Sequence, residues 1–296
     1  NTISMTGPPR LREALDYALF PGGGRVRPKL CLAVFSALGG REHDLAYGAA
    51  TAIEMLHAAS LVHDDLPCFD DALMRRGKPT LHRAYGEDMA VLVGDGLIVG
   101  AVEVLVQSAA SRIGILAPAL LELMVATGAS KGLVAGQAWE GVPGASMETI
   151  HRAKTGALFE AAAVLGALAA EAADEPWRTM GRAIGEAYQI ADDLMDVLGD
   201  EDESGKTMGQ DDRNGRLSAV HRYQISGAVQ RLEDLVIDAM CQVPRCEGRD
   251  VLISLLTRIG LRLCPAVLHN ELKILGNPSG KIELETKSFR KPIYIA

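Results

Sequence analysis

The stretch Ser60–Thr80, SLVHDDLPCFDDALMRRGKPT, limits what this chain can become more than any other. Asp64, Asp65, Asp70 and Asp71 place four carboxylates within eight residues, and Arg75 and Arg76 follow. Left without cations, such close acids repel and raise one another's pKa. Hard oxygen ligands suit Mg²⁺, which typically takes one or two protein carboxylates and fills its remaining positions with water and phosphate oxygens. A guanidinium grips two phosphate oxygens at once. Together these residues point to a metal-bridged polyphosphate site. An acidic run alone is more often a solvated loop. A second run, Tyr188–Asp200 (YQIADDLMDVLGD), shifts that balance. Asp192 and Asp196 share a helix face, Gln189 lies one turn earlier, Asp193 is adjacent, and Ile190, Leu194, Val197 and Leu198 supply an apolar side. Two acid clusters on otherwise apolar helices can face each other across one cavity.

Composition agrees with a large helical core. The chain has 296 residues, 48% of them hydrophobic and 4% aromatic, and Ala, Leu and Gly favour close helix packing. A net charge of -8, with no basic stripe, argues against a nucleic-acid partner. Cys31, Cys68, Cys241, Cys246 and Cys264 show no paired spacing, so they read as free thiols in a reducing compartment. The N-terminal residues carry no signal pattern. The longest apolar run, Ala161–Ala170, is too short for a bilayer of roughly 30 Å. A cytoplasmic protein with no membrane span is expected.

Helical periodicity predicts helices over Leu11–Leu19, Arg25–Leu38, Asp44–Cys68, Leu81–Ser108, Ile113–Trp139, Met147–Ala173, Pro176–Leu198, Ala219–Gln242 and Arg249–Asn270. No strand pattern rivals them. Asp200–Ser218 reads as a loop. No linker divides residues 1–270, which form one expected domain. Residues 271–296 are polar, rich in lysine and of unknown structure.

HDDLPCFD with RRGKPT, and YQIADD-x-x-D with a following Gly-Lys, resemble the two aspartate-rich motifs of the trans-polyprenyl diphosphate synthases. The resemblance runs from about Leu11 to about Leu268. It is strongest to geranylgeranyl diphosphate synthases of bacterial carotenoid and bacteriochlorophyll pathways. It implies an all-α isoprenoid synthase fold, a bundle of long helices around a deep apolar pocket. It also implies a homodimer and about three Mg²⁺ per active site, held by Asp64, Asp65, Asp70, Asp192, Asp193 and Asp196. The implied reaction joins isopentenyl diphosphate to an allylic diphosphate. Lys154, Thr155, Gln189, Lys206 and Arg75 would serve the allylic diphosphate, with Gln137 near it. Arg27, His57 and Arg76 would hold isopentenyl diphosphate. Asp64, Asp70, Asp192, Lys154 and Arg75 would carry the chemistry.

Two departures stand out. Gly24 occupies the place of a lysine in the family's Gly-Gly-Lys-x-x-Arg-Pro pattern, so weaker isopentenyl diphosphate binding, or compensation by Arg25 or a backbone N–H, is expected. Leu73 stands where related chains often carry Asp, outside the ligand positions. Gly94-Asp95 is read as tight helix packing. Product length should follow pocket depth below Asp64, where Ala59 and Ser60 leave room and Met55 closes the end, giving a C20 product. Farnesyl diphosphate synthesis, or the role of a non-catalytic subunit in a heteromeric synthase, is the alternative.

Overall fold

The computed structural model describes residues 7–20, 22–109, 112–198 and 218–263. Lys206, the Gln210–Asp212 segment, Cys264 and the tail after residue 270 lie outside the described residues. The chain opens with α1 (Pro9–Leu19), where a proline at the first helical position loses no hydrogen bond. Helices α2 (Val26–Ala37), α3 (His43–Asp64), α4 (Leu81–Tyr85), α5 (Glu87–Ser108), α6 (Ile113–Thr127) and α7 (Leu133–Glu140) follow. Next come α8 (Met147–His151), a π-helical turn (Arg152–Gly156), α9 (Ala157–Ala169), α10 (Glu175–Leu198), α11 (Ala219–Gln242) and α12 (Arg249–Leu263). The expected all-α class holds.

Several expected helices are broken. Leu81–Ser108 divides at Gly86, and Ile113–Trp139 divides between Gly128 and Gly132. Asp44–Cys68 stops at Asp64, because Leu66–Asp70 closes into successive turns. The sequence reading also missed a small antiparallel hairpin, Met74–Arg75 with Lys78–Pro79, in which Arg75 faces Lys78. Its turn residues Arg76 and Gly77 both have positive φ (54° and 73°), as a two-residue turn matched to strand twist requires. Strands this short carry too few residues for a period of two to appear in sequence.

Two packed cores meet around α9. One lies among α1, α3, α5, α6 and α9, rich in alanine on α3 and α9. The other gathers α2, α9, α10, α11 and α12 around Trp177, Phe159 and Met180. Small residues let these helices approach closely. Two of the described helices, α3 and α5, are long and apolar enough to cross a membrane by length and composition alone, a test that the core helix of a soluble protein also passes. Charged residues interrupt the runs, so a search for unbroken apolar stretches overlooks both. Most of the apolar stretch of α3 is buried inside the protein; that of α5 is less so.

Candidate active site

A cavity of about 810 Å³ opens between α2, α3, α5, α7, the π turn and α10. Its charged lining falls into two groups. Asp64 at the end of α3 and Asp70 in the turns that follow it join Asp192 and Asp196 on α10, Glu140 on α7 and Lys154 on the π turn. Arg25 and Arg27 at the start of α2 join Glu54 and His57 on α3 and the hairpin arginines Arg75 and Arg76. Between and below lie Leu56, Ala59, Ser60, Ile98, Leu133, Val134 and Leu158.

In the acidic group the Lys154 ammonium donates to both oxygens of Glu140, at 2.9 and 3.0 Å, and stands 3.4 Å from Asp64. The wide π turn presents Lys154 and Thr155 here; such turns are rare and recur at functional sites. Gly136 makes the approach possible: a Cβ there would fall 2.4 Å from the Lys154 backbone nitrogen. The Thr155 hydroxyl donates to the Gln189 carbonyl oxygen, and the Gln189 amide donates to Asp193 at 2.9 Å.

Two of the six expected metal ligands turn away from the cavity. Asp65 is buried and accepts a fork of hydrogen bonds from Arg75, at 2.9 and 3.2 Å from Nε and 2.5 Å from the terminal nitrogen. Adjacent residues on a helix lie about 100° apart, so Asp64 and Asp65 cannot both face inward. Asp193 is likewise buried, accepting at 2.6 Å from the backbone N–H of Ala219, the first residue of α11. Burial pushes its carboxyl up to about 6. Asp193 therefore ties α10 to α11, while Asp192 and Asp196 line the cavity. Met55 also needs correcting: it is buried in the core and absent from the lining, and Leu56 takes the cavity position.

Among the described residues, no three acidic, histidine or cysteine side chains converge closely enough to hold a metal ion unaided. The four aspartates that line the cavity are hard oxygen donors. They fit Mg²⁺ bound through one or two carboxylates apiece and completed by substrate phosphate oxygens.

In the basic group Arg76 donates to the Gly22 carbonyl at 2.7 Å, fastening the hairpin to the glycine turn before α2. Arg25, in a left-handed conformation, pairs with Glu54 and donates to the Leu19 carbonyl. Arg25 thus lines the cavity beside Gly24 with its charge already committed to Glu54. Arg27 lies over the Phe159 ring, 4.4 Å from its centre, and its Nε is buried with no hydrogen-bond partner.

Burial, reinforced by Arg27, Arg76, Arg75 and Arg25, holds the His57 imidazole well below its ordinary 6.5. Below that pH the unfolded chain takes up a proton here that the native state refuses, so stability is lost as pH falls. In His57→Gln, the drop in urea-unfolding free energy between about pH 7.5 and about pH 5.5 should shrink by about 1 kcal/mol. An unchanged drop would show that His57 titrates normally in the native state.

Glu54, Glu140 and Tyr188, which line the cavity, were missed as site residues. Glu54 precedes His57 by three residues and Glu140 follows Gln137 by three, so helical spacing to a chosen residue was a usable signal.

A helical bundle with a cavity that joins paired aspartates to an arginine cluster defines a class that handles diphosphates and apolar chains. Residues 8–248 match the polyprenyl synthetase family model, and the chain belongs to that family. It is 48% identical over 259 residues to a geranylgeranyl diphosphate synthase of Cereibacter sphaeroides, covering 88% of this chain and 90% of that one. It is 46% identical over 241 residues to a geranylgeranyl diphosphate synthase of Rhodobacter capsulatus, covering 81% and 83%. Among solved structures, a geranyltransferase of Helicobacter pylori complexed with magnesium and isoprenyl diphosphate superposes with TM-score 0.73 at 32% identity, covering 90% and 89%. An FPP/GFPP synthase of Zymomonas mobilis gives TM-score 0.74 at 31% identity, covering 84% and 88%.

Proposed function

We propose that this chain is an (E)-prenyltransferase that condenses isopentenyl diphosphate with allylic diphosphates of C5 to C15 and releases geranylgeranyl diphosphate. The observation that carries this reading is the meeting of both aspartate groups and the arginine group in one cavity with an apolar interior. The two bacterial relatives bearing that name support the C20 product.

Asp64, Asp70, Asp192 and Asp196 would hold Mg²⁺, about three ions by family resemblance. Bound there, the metal would act as a Lewis acid on the departing diphosphate. Lys154 adds a fixed positive charge beside Asp64, aimed where the leaving group gains charge. Thr155 and Gln189 hold each other in orientation at the same edge. Arg27, Arg76 and neutral His57 would grip the second diphosphate so that its alkene faces the allylic carbon. Such placement can be worth up to several kcal/mol. The allylic C–O bond breaks with its electron pair leaving on the diphosphate, the π electrons of the alkene then form the new C–C bond to the allylic cation, and the proton lost from the adjoining carbon passes to the released diphosphate.

The outer side of α5 exposes Val91, Leu92, Val99, Val102 and Val106, and α6 exposes Leu121 and Met124. This apolar face supports a homodimer packed through α5 and α6.

The test is a prenyl transfer assay with isopentenyl diphosphate, Mg²⁺ and, in turn, C5, C10 and C15 allylic diphosphates. A dominant C20 product supports the reading. A dominant C15 product makes it a farnesyl diphosphate synthase, and a folded protein that turns over no starter would be the non-catalytic subunit.

A further inference from the structure

We infer that Phe159 is a positioning residue for the condensation: its ring is the shelf that keeps Arg27 extended and its donors uncommitted until a diphosphate arrives. This rests on Arg27 as a ligand of isopentenyl diphosphate. Arg27 lies in the cavity wall, yet its Nε is buried with no partner. A guanidinium even partly withdrawn from water normally spends its donors on carboxylates, as Arg75 does on Asp65 and Arg25 does on Glu54. Arg27 instead stands 4.4 Å above the centre of Phe159 and 5.8 Å from that of Tyr188, and these two rings pack 5.0 Å apart. The negative face of an aromatic ring stabilises a cation without consuming any N–H donor. Phe159 is fully buried, so the shelf does not move with solvent.

The alternative for Arg27 is close at hand. Glu54 and Asp192 line the same cavity, and both favour its charge through space. Without the shelf, the guanidinium would swing to one of them, and that pair would have to break each time substrate bound. The ring therefore acts on affinity for the second diphosphate rather than on the bond-making step. Gly24 sharpens the dependence, because the subsite lacks the lysine that would otherwise share the load.

The experiment uses the full-length enzyme with Mg²⁺ and measures KM for isopentenyl diphosphate, KM for the allylic diphosphate and kcat. The variants are Phe159→Leu, Arg27→Ala, and a series with 4-fluoro-, 3,5-difluoro- and 3,4,5-trifluorophenylalanine at position 159. Fluorine withdraws charge from the ring face with little change of shape, so the series reads the electrostatic contact even if Phe159→Leu fails to fold. KM for isopentenyl diphosphate should rise about threefold to thirtyfold in Phe159→Leu and stepwise with each added fluorine. The allylic KM and kcat should stay within about twofold. A rise in Arg27→Ala with a flat fluorine series would overturn the shelf and leave Arg27 as a ligand. No rise in Arg27→Ala would remove Arg27 from the substrate site and the shelf with it. A fall in kcat that tracks fluorine at constant KM would place the ring in the chemical step and overturn the positioning role.

Discussion

Asp64→Asn should lower turnover by about 10²–10³-fold while leaving the melting temperature nearly unchanged, and its neighbour Asp65→Asn should be felt first as lost stability. Asp64 faces the cavity, 3.4 Å from the Lys154 ammonium, where its charge is available to a metal. Taking it away removes one anchor of the charge that draws off the diphosphate, and Glu140 still pairs with Lys154. Buried Asp65 holds the half-buried Arg75 by a fork of hydrogen bonds, so neutralising it takes away that guanidinium's hydrogen-bonded carboxylate and leaves only the more distant Asp64 and Asp192 as countercharges. Breaking such a pair costs about 3–5 kcal/mol, less if the asparagine oxygen still accepts from Arg75. Steady-state kinetics and urea unfolding of both variants, side by side, check this. Equal loss of turnover from both, with no loss of stability from Asp65→Asn, would mean that Asp65 turns inward and serves the metal.

Ala59→Tyr should make C15 the main product. Ala59 lies five residues before Asp64, about 7.5 Å down the helix at a rise of about 1.5 Å per residue, and Leu56 lies about 12 Å down. Both line the cavity. A tyrosine ring at the upper level would block the path between Leu56 and the metal ligands, so that a growing chain meets a wall one isoprene unit early. Met55→Leu should leave product length unchanged, because Met55 packs in the core outside the cavity. Product chromatography from the C10 starter reads both. An unaltered C20 product from Ala59→Tyr would refute this account of the wall; a shorter or longer product from Met55→Leu would restore Met55 to the floor.

The helical class and the two acid clusters were readable because both are written in local periodicity. Asp192 and Asp196 share a face by spacing alone, and the structure puts both into the cavity. Which neighbour turns inward was harder. Asp64 and Asp65 are chemically identical in sequence, and what separates them is Arg75, ten residues on and delivered by a turn that folds back. Asp193 differs from Asp192 because the backbone N–H of Ala219, 26 residues further along the sequence, donates to it. The shelf under Arg27 joins α2 to α9 across 132 residues, and no pattern in either helix marks it. Boundaries failed mainly where glycine ends a helix that its apolar spacing would continue, as at Gly86.

The π turn at Arg152–Gly156 makes the spacing of this segment unusually sensitive to length. Removing a single residue there would allow a continuous α-helix from Met147 to Ala169 with more regular hydrogen bonding. It would also draw in the bulge that sets Lys154 and Thr155 off the regular helical path, because a π turn absorbs one extra residue without turning the helix on either side. Lys154 would swing off its line to Glu140 and Asp64, while Phe159 stayed packed against α10. A deletion that improves the local helix would thus dismantle the diphosphate end of the cavity. Among homologues, gaps should be rarer in this buried helical segment than in any surface loop.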